Sequence, residues 1–200
     1  MTDFDFEKEL VLENEHVLLR PLKKTDHNNL IGFSLNEPEI WKYSLIAAAG
    51  EENLKNYIKI ALDARDAKKE FPFIVYDKKQ NSFAGSTRFY DMQLAQKTLQ
   101  LGYTWYGKHF QGTGLNKHCK FLLLQYAFET LGMERVEFRA DNSNEKSIAA
   151  MKSIGCTVEG VMRSTMFNLN GTRRDSIILS ILKNEWFDSV KENLKKKLTQ

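Results

Sequence analysis

Apolar and polar positions alternate through residues 98–106: Leu99, Leu101, Tyr103 and Trp105 interleave with Gln100, Gly102, Thr104 and Tyr106. A period of two predicts a strand. Further strands are expected at 16–20, stopped by Pro21, and at 72–77, 83–90, 135–140, 157–167 and 174–182. Leu54, Tyr57, Ile58, Ala61, Leu62 and Arg65 recur at helical spacing and predict an amphipathic helix ending in an aliphatic Arg stem. An earlier helix is expected from a cap at Thr25 or Asp26 to about residue 35. Residues 115–131 form a helix-length run without Gly or Pro, and Asn142 to Asn144 lead a short helix ending at Gly155. Trp186, Phe187, Val190, Leu194 and Leu198 mark one face of a terminal helix over 184–198.

Turn residues between 72–77, 83–90 and 98–106 predict an antiparallel meander. The passage from 98–106 through a helix to 135–140 is a crossover, which predicts parallel pairing. Asn170-Gly171 predicts a hairpin between the last two strands. The order β-α-α-β-β-β-α-β-α-β-β-α is that of one α+β domain over residues 1–200, a mixed, mostly antiparallel sheet flanked by helices.

Residues 109–116, His-Phe-Gln-Gly-Thr-Gly-Leu-Asn, join the 98–106 strand to the 115–131 helix. A Gly-rich turn opening a helix exposes backbone N–H groups that the helix cannot pair, and with the helix dipole these suit a phosphate. Gly112 and Gly114 would accept positive φ and a close approach. The turn is neither a P-loop nor the dinucleotide fingerprint, because position 117 is Lys. Alone, it reads equally well as an ordinary connector.

Composition narrows the field. A 42% hydrophobic and 28% charged content is that of a globular chain. A net charge of +3 is too mild to argue for nucleic acid on its own. The Lys-rich 191–197 stretch reads as the solvated face of the terminal helix. No apolar run of membrane-spanning length occurs, and MTDFDFEKEL does not read as a signal peptide, so a cytoplasmic protein is expected. Cys119 and Cys156 lack metal-ligand spacing and imply neither a disulfide framework nor a metal. A homodimer stays open.

The element order and the Gly turn together resemble the GCN5-related N-acetyltransferases. Gln111, Gly114 and Asn116 occupy the marked positions of that family's Gln/Arg-x-x-Gly-x-Gly/Ala motif, with Asn116 departing from Gly/Ala. The second half is similar to the ribosomal-protein N-terminal acetyltransferase (RimJ/RimL-like) branch. It carries Leu101-Gly102-Tyr103, Asp141, Asn144-x-x-Ser147, Lys152-x-x-Gly155, Glu159-Gly160-x-x-Arg163, Gly171, Arg174-Asp175 and Glu185-Trp186. The resemblance spans about 15–187. It implies acetyl-coenzyme A as cosubstrate, with the pyrophosphate at Gln111, Gly112, Thr113, Gly114 and Asn116. It implies that pantetheine and the thioester meet the backbone at Thr104, Trp105 and Tyr106, that Asn144 contacts pantetheine, and that the Ser147 hydroxyl lies near the sulfur as catalytic group.

Acetyl transfer to an amine needs a neutral amine, a donor for the carbonyl oxygen and a proton for the leaving thiolate. Ser147 is the expected proton donor, with a helix-capping role as the alternative. Asn144 also suits an N-cap. Gln100 stands where many relatives carry Glu and cannot act as base; Glu137 and Glu159 are candidates, though each suits a solvent-facing strand position. Both cysteines, and His109 and His118, read as structural or solvated side chains. One or two of Arg88, Arg139, Arg163, Arg173 and Arg174 could hold an acidic acceptor or the cofactor's 3′-phosphate. The expected activity is transfer to a protein N-terminus or small amine within a ternary complex. The alternatives are a non-catalytic acyl-coenzyme A sensor, or a ribosome or protein interaction module.

Overall fold

The computed structural model describes residues 4–199. Strands β1 (Leu12–Glu13), β2 (Val17–Pro21), β3 (Phe71–Asp77), β4 (Ser82–Gln93), β5 (Thr98–Tyr106), β6 (Arg135–Asp141), β7 (Thr157–Phe167) and β8 (Arg173–Leu182) form one sheet in the order β1-β2-β3-β4-β5-β6-β8-β7. All pairs are antiparallel except β5 with β6. The expected meander and crossover are therefore both present. Strand β1 is an addition: its two residues pair Leu12 with Leu19 and Glu13 with Leu18, too short a run to show periodicity.

Helices α1 (His27–Asn36) and α2 (Glu51–Asp66) cover one face of the sheet. Their core comprises Leu30, Trp41, Leu54, Tyr57, Ile58, Ile74 and Trp105, among others. Helices α3 (Leu115–Gln125), α4 (Glu145–Ser153) and the terminal helix α5 (residues 183–196) cover the other face around Phe73, Phe89, Leu123, Phe138, Leu179 and Trp186. Phe4 and Phe6 join this second core, where Phe4 meets Phe71 edge-on and Arg65 Nε donates to the Phe6 carbonyl.

Local chemistry explains three departures. Neither Thr25 nor Asp26 caps α1 through its side chain. Asp26 is buried and takes a bidentate bond from Arg20, so burial, which pushes its carboxyl up, is outweighed and the group is held below the usual carboxylate range. The 115–131 helix passes into π geometry over Tyr126–Thr130. Helix α5 runs through Lys183–Glu185, Trp186–Val190 and Lys191–Lys196, and its middle segment is also π. The wider turn displaces Phe187 from the expected face: it is 52% exposed, while Trp186 is fully buried.

The fourth departure shapes the site. The register of β4 against β5 shifts between Ser86 and Arg88, where Ser86 opposes Trp105 and Arg88 opposes Gly102. One extra residue is accommodated on β5, and Tyr103 takes φ +48°. The simple alternation placed Tyr103 and Trp105 with Leu99 and Leu101. Beyond the bulge the faces exchange: Tyr106 joins the α3 core with Leu99 and Leu101, and Trp105 packs on the α1/α2 side.

Candidate active site

Gly112 and Gly114 adopt φ +77° and +90°, and a Cβ at either would project into open space. Gly114 precedes the first residue of α3. The turn is fastened from beneath: Gln111 Nε2 donates to the Tyr106 carbonyl at 3.0 Å, and Thr113 Oγ1 donates to the Phe110 carbonyl at 2.8 Å. Among the described residues, the backbone N–H groups of Gly112, Thr113, Gly114 and Asn116 have no protein acceptor. Four free donors at a helix N-terminus suit an anion. The Asn116 side chain does not crowd it, because its Oδ1 accepts the Tyr106 hydroxyl at 3.3 Å.

Strand β5 leads away from this turn into a gap. It pairs with β6 only at Thr98–Arg135, Leu99–Val136 and Gln100–Glu137. Beyond Gln100 the strands diverge, and β6 continues on β8 as far as Asp141. The β5 edge from Leu101 to Tyr106 thus has no β6 partner, and an extended ligand can lie along it. The Thr104 side chain is directed toward α3 and that of Trp105 toward Trp41, 5.1 Å away between ring centres.

Across the gap, the Asn144 side-chain oxygen caps α4 by accepting the Ser147 N–H at 3.1 Å. Its amide nitrogen has no protein partner, nor does Ser147 Oγ, and both side chains are half-buried. The turn lies at one end of the open β5 edge, and α4 follows the end of β6, the strand that diverges from that edge.

Residues 16–157 match the sequence profile described as the acetyltransferase (GNAT) domain. The chain belongs to this family. It is an N-acetyltransferase. YdaF of Bacillus subtilis (strain 168), named "Putative ribosomal N-acetyltransferase YdaF", is 28% identical over 181 residues, covering 86% of this chain and 94% of YdaF. A crystal structure of a "putative acetyltransferase" from T. thermophilus is 32% identical, with TM-score 0.85, covering 94% of this chain and 96% of that one. RimL, a ribosomal L7/L12 alpha-N-protein acetyltransferase solved in complex with coenzyme A, shares the fold at TM-score 0.75 and 17% identity, covering 88% of this chain and 99% of RimL.

The titratable groups divide clearly. Burial pushes the Cys119 and Cys156 thiols up to about 12, which leaves them protonated and inert. Gln100 donates to Asp91 at 2.7 Å. Glu137 pairs with Arg135 and Arg139, and Glu159 with Arg135; the Arg135 hydrogen bonds hold Glu159 below its ordinary value. Both carboxylates are tied into strand ion pairs, which is the structural alternative. His118 stacks on His16 and meets Asn14, whereas His109 is exposed in the turn.

Besides Arg174, which lies 3.9 Å from Asp141, two cations are buried among the described residues. The Arg88 guanidinium, fully buried, pairs with Glu70 and lies 4.1 Å from the Tyr103 ring centre, with its Nε and Nη2 unpartnered. The Lys120 ammonium meets Thr104 and Thr87 and faces no carboxylate within ion-pair distance among the described residues. The first was one of five arginines with nothing in the sequence to separate it. The second carries no signal in the sequence, because a Lys in an amphipathic run reads as solvated.

Proposed function

We propose that this chain, as a single domain, transfers the acetyl group of acetyl-coenzyme A to a primary amine by direct attack within a ternary complex. The observation that carries the reading is the junction of four free N–H donors at the Gly112–Asn116 turn with a strand edge left open beyond Gln100. The turn would hold the pyrophosphate, and the β5 edge at Thr104, Trp105 and Tyr106 would hold the pantetheine arm. Asn144 would contribute its free amide nitrogen. The amine nitrogen attacks the thioester carbon, the C–S bond breaks, and the coenzyme A thiolate takes a proton. Ser147 is the proposed donor of that proton, and the amine gives up its own to water. RimL's complex with coenzyme A and the GNAT fold support the cosubstrate. YdaF's name supports a ribosomal acceptor.

The acceptor would approach from the α1/α2 face, where Arg88 and the half-buried Tyr103 lie. Isothermal titration calorimetry with coenzyme A tests the cosubstrate. Saturable one-to-one binding that competes with acetyl-coenzyme A is expected, and absence of binding would remove the reading.

A further inference from the structure

Lys120 sits where a lysine is costly. It is 5% exposed, on the buried face of α3. Its Nζ donates to Thr104 Oγ1 at 2.7 Å, reaches Thr87 Oγ1 at 3.4 Å and stands 5.9 Å from the centre of the Phe138 ring. These residues belong to β5, β4 and β6, so the ammonium lies on the floor of the splay where β5 and β6 diverge. The titratable groups facing it are Cys119 on its own helix and Cys156 after α4, both protonated thiols without counter-charge. Burial pushes Lys120 down to about 8. A hydrophobic side chain would fill this space without the desolvation penalty, so a charge here points to a role other than stability.

The hydrogen bonds around it have a direction. An ammonium only donates. The Thr104 and Thr87 hydroxyl oxygens lie 2.7 Å apart, and both reach the Gly102 carbonyl, at 3.4 and 3.3 Å. With Lys120 donating at one end, the last proton of the chain points to Gly102 O. That carbonyl belongs to the peptide preceding Tyr103, the residue at φ +48°. In a planar trans peptide the C=O and N–H point in opposite directions. Fixing Gly102 O against β4 therefore turns the Tyr103 N–H away from β4, toward the splay.

We propose that Lys120 is a positioning residue: through Thr104 and Thr87 it holds the Gly102–Tyr103 peptide so that the Tyr103 N–H meets the acyl carbonyl oxygen in the splay. The inference rests on the acetyl-coenzyme A reading above. Lys120 touches no reacting atom. Its charge orders the strained bulge that presents the donor.

Lys120→Met keeps the length and removes the charge, and Thr104→Val cuts the chain while keeping the lysine. In each, kcat should fall at least about tenfold while coenzyme A affinity by calorimetry stays within about threefold, the pattern of a lost transition-state donor. Wild-type kcat should also decline as pH rises through the range where Lys120 loses its proton, and Lys120→Met should lack that decline. A folded Lys120→Met with kcat within about threefold of wild type and the alkaline decline intact would overturn the role. So would a loss of kcat matched by an equal loss of coenzyme A affinity. Should Lys120→Met not fold, Thr104→Val decides by the same rate and affinity criteria. Failure of the wild-type protein to bind coenzyme A would instead overturn the cosubstrate reading, and the positioning role with it.

Discussion

The Asn144 side-chain oxygen accepts the backbone N–H of Ser147 at 3.1 Å, so one residue caps the helix that carries the other. The cap leaves the Asn144 amide nitrogen and the Ser147 hydroxyl both without a protein partner. Structural and chemical roles therefore separate by mutation. Asn144→Ala should lower stability by ~1 kcal/mol through loss of the cap, and should weaken coenzyme A binding as well. Ser147→Ala should leave the melting temperature nearly unchanged and lower kcat by ~10²-fold, the lower range for a positioned acid. A fall of less than about threefold at saturating substrates would return Ser147 to a purely capping environment.

Gly114 combines positive φ with a free N–H at the head of α3. Valine there would be strained and would project into the space open to a phosphate. Gly114→Val should weaken coenzyme A binding by about 1–3 kcal/mol in a protein that still folds. Calorimetry with unchanged affinity would remove the turn from the site.

Neither cysteine should matter to the chemistry. Both thiols are buried and pushed up to about 12, so no thiolate is present at neutral pH. The Cys119→Ala, Cys156→Ala double variant should retain turnover within about fivefold. A trapped acetyl-cysteine on either residue, sought by mass spectrometry, would contradict direct transfer.

The buried ammonium also makes stability depend on pH in an unusual direction. Lys120 has a folded value of about 8, below the ordinary lysine value of about 10.4. Between those values the unfolded chain binds more protons than the folded one, so stability rises with pH across that window and is level below it. Urea unfolding at pH 7.5 and pH 10 should show a greater gain for wild type than for Lys120→Met. At pH 7.5 the variant should be the more stable by about 1–3 kcal/mol, because it carries no buried charge. Equal gains in the two proteins would show that Lys120 is not desolvated.

The parts legible in the sequence are those with local causes. Gly112 and Gly114 take the positive φ that glycine permits, Asn144 caps where a capping residue meets a helix run, and Asn170-Gly171 turns the last hairpin. The parts missed depend on contacts far along the chain. One extra residue at Tyr103 leaves the alternation of 98–106 intact by eye while exchanging the faces beyond it. Lys120 lies among Cys119, Phe121 and Leu123 in a helix whose buried side is fixed only when β4 and β5 pack beneath it. Phe187 leaves its face because a π turn, which no residue pattern in 184–198 announces, widens the helix at Trp186–Val190.

The most direct test of the account is a steady-state assay with purified protein, acetyl-coenzyme A and a panel of amines. The panel should include short peptides with free N-termini, with and without an acidic second residue, polyamines, amino sugars and free amino acids. Free coenzyme A thiol and acetylated amine should appear in equal amounts with at least one primary amine. Tight coenzyme A binding with no thiol released for any amine would contradict the account and leave a sensor in place of an enzyme.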